Sequence, residues 1–154
     1  MIKKSAGILL YRYRNNCLEI FLVHPGGPYW KNKDLGSWSI PKGEFTEEEQ
    51  PLDAAIREFN EETGIKLSGD FIELTPIKQK GGKLVYAWAN KSDIEQSIFS
   101  CKLKVNIEWP PKSGKIQSFP EVDKFEWFCL EEAKQKINPS QATLLDELIK
   151  YIIV

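Results

Sequence analysis

The sequence predicts a layered α/β domain in which a mixed β-sheet is covered by two or three helices. Three observations predict it. Residues 5–13 and 18–24 read as strands around a turn at Asn15-Asn16, the signature of a β-hairpin. An amphipathic run at 50–63 is bracketed by Pro51 and Gly64, which suit a helix start and a helix stop. A second helical run, about 140–152, places Leu144, Leu145, Leu148 and Ile152 on one stripe. Strands outnumber helices, so the helices are expected to cover a sheet rather than one another.

Between these elements the chain reads as follows. The hairpin is followed by HPGGPYWKNKDLG, 24–36, a loop rich in Gly and Pro and long enough to expect a functional role. A short strand, SWSI, leads into Pro41-Lys42-Gly43. At Pro51 the missing N–H costs nothing in a first helical turn. Strands are expected at 71–79 and 83–90 across a Gly81-Gly82 turn, at 101–109, and around 123–129. Residues 110–121, PPKSGKIQSFPE, read as a second long loop. No repeat, low-complexity tract or linker divides the chain, so residues 1–154 are expected to form one domain.

Composition narrows the function classes. The chain is 42% hydrophobic and 28% charged, enough to bury a core and too apolar for disorder. Its 21 basic and 22 acidic residues leave a net charge of -1. That balance removes any whole-protein electrostatic case for a nucleic-acid polymer or an anionic membrane. No run approaches the roughly 20 apolar residues of a membrane span. Cys17, Cys101 and Cys129 show neither zinc-ligand spacing nor a disulfide framework, which points to a reducing, cytoplasmic compartment.

The charge chemistry is local. On a helix advancing about 100° per residue, Glu58, Glu61 and Glu62 fall within an arc of roughly 100°. Leu52, Ala55, Ile56, Phe59 and Thr63 form a separate apolar stripe. Like charges at these spacings cost a few tenths of a kcal/mol per pair. The helix dipole disfavours each carboxylate in the last turn by a further 0.3–1 kcal/mol or so. Arg57 can pair with Glu61, but one arginine cannot neutralise three acids. A hard divalent cation can, because Mg²⁺ takes oxygen ligands, typically one or two carboxylates together with water and substrate phosphates.

The whole stretch runs Gly43, five residues, Glu49, seven residues, Arg57-Glu58-Phe59, one residue, Glu61-Glu62, one residue, Gly64-Ile65. It resembles the Nudix hydrolase signature, G-x5-E-x7-R-E-U-x-E-E-x-G-U with U bulky and apolar, at every fixed position. At average residue frequencies such a match recurs by chance roughly once in a billion starts. HPGGPYW, GSWSIPKGE, EWPPKSGK and FPEVDKFEWF extend the resemblance more weakly, towards a bacterial branch described as NTP pyrophosphohydrolases, near the diadenosine-polyphosphate hydrolases.

The resemblance implies a Nudix fold, a mixed sheet sandwiched between helices. It also implies hydrolysis of a nucleoside diphosphate linked to another moiety, with Mg²⁺ or Mn²⁺ and water attack on phosphorus. Glu58 and Glu62 would be the principal metal ligands, with the Gly43 carbonyl beside them. Glu61 would be a third ligand or the general base. Arg57 would hold Glu49 or Glu61 in place, and Glu49 would orient the loop. Glu121, in SFPEVDKFEW, is the candidate for a further carboxylate from outside the box, ahead of Glu44.

Phosphate also needs cationic partners, and Lys42 and Lys112 are the candidates. Tyr29, Trp30, Trp38 and Trp109 are candidates to stack on a base, with Tyr29 and Trp30 foremost because they lie in the long loop. His24, the only histidine, ends a strand and reads as structural. The expected partner is a small nucleotide: a dinucleoside polyphosphate first, then a nucleoside triphosphate, oxidised ones included, then ADP-ribose. Monomer and homodimer both remain open. The competing function is a Nudix-fold module that senses a nucleotide without cleaving it; such modules typically lose box acids, and this chain keeps them.

Overall fold

The computed structural model describes residues 2–152, so the ends of the expected 1–154 domain lie outside the described residues. The chain runs β1 (Lys4–Arg14), β2 (Cys17–Pro25), β3 (Lys42–Glu44), α1 (Pro51–Thr63), β4 (Phe71–Glu73), β5 (Ile77–Lys78), β6 (Leu84–Lys91), β7 (Lys104–Glu108), β8 (Ile116–Pro120), β9 (Val122–Cys129), α2 (Leu130–Lys136) and α3 (Ala142–Ile152). Seven strands form one mixed sheet in the order β4-β6-β1-β2-β9, with β3 added beside β1 and β5 beside β6. Among the described strand pairs of this sheet, β1–β6 alone is parallel.

Strand alternation sets the layers. Ala6, Ile8 and Leu10 of β1 and Phe21 and Val23 of β2 face α1, packing on Ala54, Ala55 and Phe59. Leu9, Tyr11, Ile20 and Leu22 face the other way, onto Ala133, Ile137, Leu144, Leu145 and Leu148. Fully burying one such side chain is worth about 1.5–3 kcal/mol. The expected sheet between helices is therefore what forms. No helix among the described residues is long and apolar enough to cross a membrane.

β1 changes partner along one edge. Residues Ser5–Gly7 pair with β3, and Tyr11–Arg14 pair with β2. This brings the chain from the 24–36 loop back across the sheet directly beneath α1, which positions the site described below.

The structure departs from the sequence expectations at five places. SWSI makes only isolated bridges, Val23 to Ser39 and Trp38 to Ile137; the strand in this region is Lys42–Glu44. The expected 71–79 strand is broken between Glu73 and Ile77, where Pro76 has no N–H to give to a ladder. The expected 101–109 strand contracts to Lys104–Glu108, and 110–121 is no loop. It turns and returns as β8, which pairs with β7 as a separate two-stranded arm. α2, within residues assigned to no element, extends one of the sheet's covering layers. Finally, Cys17 and Cys129 are joined as a disulfide, contrary to the expectation that no cysteines pair. β2 and β9 are antiparallel neighbours, and their ends bring the two Cα atoms to 6.0 Å across 112 residues of sequence. Cys101 is a free, half-buried thiol.

Candidate active site

α1 starts and stops as its sequence dictates. Pro51 occupies the first turn, and Gly64 caps the C-terminus in the left-handed region at φ 80°, its N–H donating to the Asn60 carbonyl. β3 then crosses the helix near its middle. Gly43 lies so close to Glu58 that a Cβ there would fall inside the Glu58 carboxylate. Only glycine permits that approach.

This crossing grades the three acids rather than exposing them together. Glu62 is buried, at 6% exposure, and accepts a 2.9 Å hydrogen bond from the Lys42 backbone N–H. Burial, then the charge of Glu121, pushes its carboxyl up to about 8. The Glu58 side chain is 12% exposed, and burial raises its carboxyl too, against the opposing pull of Arg57. Glu61 is the most exposed of the three, at 41%.

Arg57 is the hub of the rim. Its guanidinium grips Glu49 with two bonds, Nε to Oε2 at 2.7 Å and Nη2 to Oε1 at 2.9 Å. Nη1 reaches Glu58 at 2.8 Å and Glu61 at 3.1 Å. The planar fork makes four bonds to three carboxylates, two of them side by side on Glu49, a geometry that a lysine's compact ammonium cannot copy. Its grip on Glu49 holds that carboxyl below the usual carboxylate range.

Glu121 sits in the turn between β8 and β9. Its N–H donates to the Leu103 carbonyl and its own carbonyl accepts from Gly26, both at 3.0 Å. A Cβ at Gly26 would land on the Pro120 carbonyl, so the first residues of the 24–36 loop press directly against this turn. The Glu121 charge acts on both Glu58 and Glu62. An acid far outside the box thus lies within electrostatic reach of two box acids.

Lys42 enters from the opposite face. It pairs with Gly7, and a Cβ on Gly7 would lie 2.7 Å from Lys42 Cβ. The lysine therefore leaves β3 on the α3 side, while Gly43 faces α1. Burial and the neighbouring Lys83 lower its ammonium, with Glu62, Glu44 and Glu58 pulling back. Lys83 is a residue the sequence reading missed. It lies just after the Gly81-Gly82 turn, and that turn is the only local signal for it. Glu44 is committed on this side, to Lys83 at 3.5 Å and Lys3 at 4.0 Å.

The aromatic candidates separate. Tyr29 and Trp30 are exposed, at 52% and 38%. Tyr29 meets Trp109 edge to face at 5.3 Å, linking the 24–36 loop to the β7–β8 arm. Trp38 is not a stacking surface: it is 3% exposed, packed edge-on against Phe128, with its N–H given to Asp34. Lys112 is exposed on the turn of the arm, where its backbone N–H donates to Glu108.

Among the described residues, no three carboxylate, histidine or cysteine side chains converge closely enough to cage a metal ion by themselves. The donor set nevertheless fits a hard divalent cation of the Mg²⁺ type. Glu58 and Glu62 are oxygen donors whose charge burial opposes, the backbone at Gly43 passes against Glu58, and such an ion draws its remaining ligands from water and phosphate.

Comparison with known proteins bears on the family and the fold. The family model described as NUDIX domain matches residues 1–148. The mRNA-decapping protein g5R of African swine fever virus is 30% identical over 115 residues, 73% of this chain, and the match spans only 44% of that longer protein. The RNA pyrophosphohydrolase of Bartonella tribocorum is 36% identical over 147 residues, covering 75% of this chain and 76% of the relative. Among solved structures, the NUDIX domain of Shewanella oneidensis NrtR, complexed with ADP ribose, superposes with a TM-score of 0.70 at 14% identity, over 99% of this chain and 89% of that one. A C. elegans Ap4A hydrolase superposes at 0.64 with 23% identity, over 99% and 98%. With the signature complete from Gly43 to Ile65 and a family match over nearly its whole length, the chain belongs to the NUDIX family.

Proposed function

We propose that this chain is a divalent-metal-dependent pyrophosphohydrolase that cleaves a phosphoanhydride bond in a nucleoside polyphosphate. The observation that carries the reading is Glu62: a carboxyl buried beside Glu58 and within the field of Glu121, whose ionisation burial opposes and a bound cation would favour. Glu58, Glu62 and the Gly43 carbonyl are the residues that would hold Mg²⁺ or Mn²⁺. When bound, that ion supplies Lewis-acid polarisation of phosphate oxygens and a more acidic water.

The chain's own residues do the remaining work. Arg57 holds Glu49, Glu58 and Glu61 in one arrangement. Lys112, exposed on the arm, and Lys42, whose backbone N–H already holds Glu62, are the cationic residues proposed to take phosphate charge. Water adds to one phosphorus, the anhydride P–O bond breaks, and Glu61 or Glu121 receives the water's proton. Parallel Glu61→Gln and Glu121→Gln variants separate those two. Tyr29 and Trp30, with Trp109 beside them, are the candidate surface for a base.

A dinucleoside polyphosphate such as diadenosine tetraphosphate remains the first substrate proposed, followed by nucleoside triphosphates and ADP-ribose. A second reading is favoured by the relatives' names, RNA pyrophosphohydrolase and mRNA-decapping protein: an RNA whose end carries a phosphoanhydride bond. A monomer or a homodimer is consistent with either.

The test is a panel of these compounds incubated with Mg²⁺, with products separated by chromatography, for the wild type and Glu62→Gln. Metal-dependent cleavage of at least one compound, lost in the variant, supports the reading. Tight binding without cleavage of any would favour a nucleotide sensor instead.

A further inference from the structure

We infer that His24 is a positioning residue that ties the middle of the 25–36 loop, and with it Tyr29 and Trp30, to β9, and that the tie requires both imidazole nitrogens to carry a proton. The proposed hydrolysis does not use this residue. Its consequence for substrate binding rests on the pyrophosphohydrolase reading; the tie itself does not.

The geometry is unusual for a histidine at 1% exposure. Nδ1 lies 2.7 Å from the Asp123 carboxylate, and Nε2 lies 2.7 Å from the Lys33 carbonyl. Both facing groups are acceptors. A neutral imidazole has one N–H, so against a carboxylate it can satisfy only one side and points a lone pair at the other. The imidazolium satisfies both. Losing that proton leaves the remaining N–H with the carboxylate, and the Lys33 carbonyl is the bond given up.

That bond matters because of how the loop is otherwise held. Its last residues are fastened to α2: Asp34 pairs with Lys136, and the Gly36 N–H donates to Gln135. Its first residues rest on the Glu121 turn through Gly26. Between them, Trp30 and Lys33 are linked by turn bonds internal to the loop, Trp30 N–H to Gly27 and Lys33 N–H to Trp30. Among the described residues, the Lys33 carbonyl to His24 bond is what connects this middle stretch to the sheet.

The charges around the ring come from every element packed on it. Asp123 lies on β9, and Lys124 is the register partner of His24 across the β2–β9 pair. Lys33 and Asp34 belong to the loop itself, and the charge of Asp34 is shared with Lys136 of α2 and the Trp38 N–H. The Trp38 ring closes the remaining side, its centroid 5.1 Å away.

The experiment uses the fact that the chain has one histidine. Long-range ¹⁵N–¹H NMR of that ring, from about pH 5 to about pH 9, reports the protonation of each nitrogen directly. Hydrogen exchange of the amides of residues 29–33, corrected for intrinsic rates, reports the tie over the same series. In the wild type two protonated nitrogens are expected while the loop is protected. Protection should fall by roughly tenfold or more as the ring proton is lost, the scale for losing a charge-assisted hydrogen bond. Asp123→Asn supplies the discriminating control. Its side-chain NH₂ can donate to Nδ1, leaving a neutral ring whose Nε2–H still reaches Lys33, so loop protection should become independent of pH. For a nucleotide cleaved by the wild type, the Glu62 carboxyl titrates within the same interval and changes the rate of both proteins. The loop's contribution is a KM several-fold higher in the wild type than in Asp123→Asn at the pH where protection is lost, with the two equal where it is intact.

A singly protonated ring in the protected loop overturns the inference, as does pH-independent protection in the wild type or an unaltered pH response in Asp123→Asn. If NMR and exchange behave as expected but no nucleotide is cleaved, the tie stands and the hydrolase reading fails.

Discussion

Glu62→Gln isolates the electrostatic cost of the site. The buried carboxyl titrates ordinarily at 4.5 and is pushed up to about 8 in the folded chain. A raised carboxyl binds its proton more tightly when folded. Its stabilising contribution is therefore complete below its ordinary pKa and is lost as pH climbs towards about 8. Each unit of difference is worth about 1.4 kcal/mol, so between about pH 5 and about pH 8 the metal-free protein should lose roughly 4 kcal/mol through this one group. Glutamine keeps an oxygen for the Lys42 N–H and never ionises, so it removes that pH-dependent loss. The assay is urea or thermal unfolding of both proteins in the presence of a chelator across this range. The gap between the two should widen with pH, reaching roughly 8–16 °C in Tm at the alkaline end, with the variant the more stable. Mg²⁺ should then narrow the gap by stabilising the wild type alone. Parallel stability profiles with pH would refute the claim that Glu62 is buried against uncompensated charge.

Three further perturbations probe the rest of the site. Gly43→Ala places a methyl inside the Glu58 carboxylate and should cost about 1–3 kcal/mol in unfolding free energy and most metal-dependent turnover; normal stability with full turnover would contradict the close approach. Arg57→Lys keeps the charge but loses the two-bond fork on Glu49, so activity should fall about 10–100-fold, measured at saturating Mg²⁺. Tyr29→Ala should raise KM for a base-bearing substrate by roughly 5–100-fold with kcat little changed, read from steady-state kinetics on whichever nucleotide the panel identifies.

What the sequence made legible was local. Pro51 and Gly64 mark the ends of α1 because helix starts and stops are decided within a turn. The angular grouping of Glu58, Glu61 and Glu62 follows from 3.6-residue periodicity alone. Their different burial does not, because it depends on β3 crossing the helix at Gly43, and that crossing follows from β1 switching partner between Gly7 and Tyr11. β8 was hidden for a related reason: Pro110, Pro111, Gly114 and Pro120 read as loop residues, and the β7–β8 arm forms through pairing that outweighs them. Lys83 joins Lys42 only through the β6–β1–β3 ladder. His24 meets Asp123 across 99 positions, and Cys17 meets Cys129 across 112. Such contacts leave no spacing signal in a single sequence. Trp38 shows the opposite failure, an aromatic beside a functional loop whose indole is simply core.

Calorimetric titration of Mn²⁺ into the protein, carried out near neutral pH in buffers of different ionisation enthalpy, tests the metal claim most directly. In the presence of a methylene-bridged pyrophosphate analogue, the wild type should take up the ion and release a proton, because Glu62 is largely protonated there before its charge is needed. Glu58→Gln should bind more weakly, and Glu62→Gln should bind more weakly still and release no such proton. Absence of uptake by the wild type, or uptake that neither substitution alters, would contradict the assignment of these carboxylates to a cation.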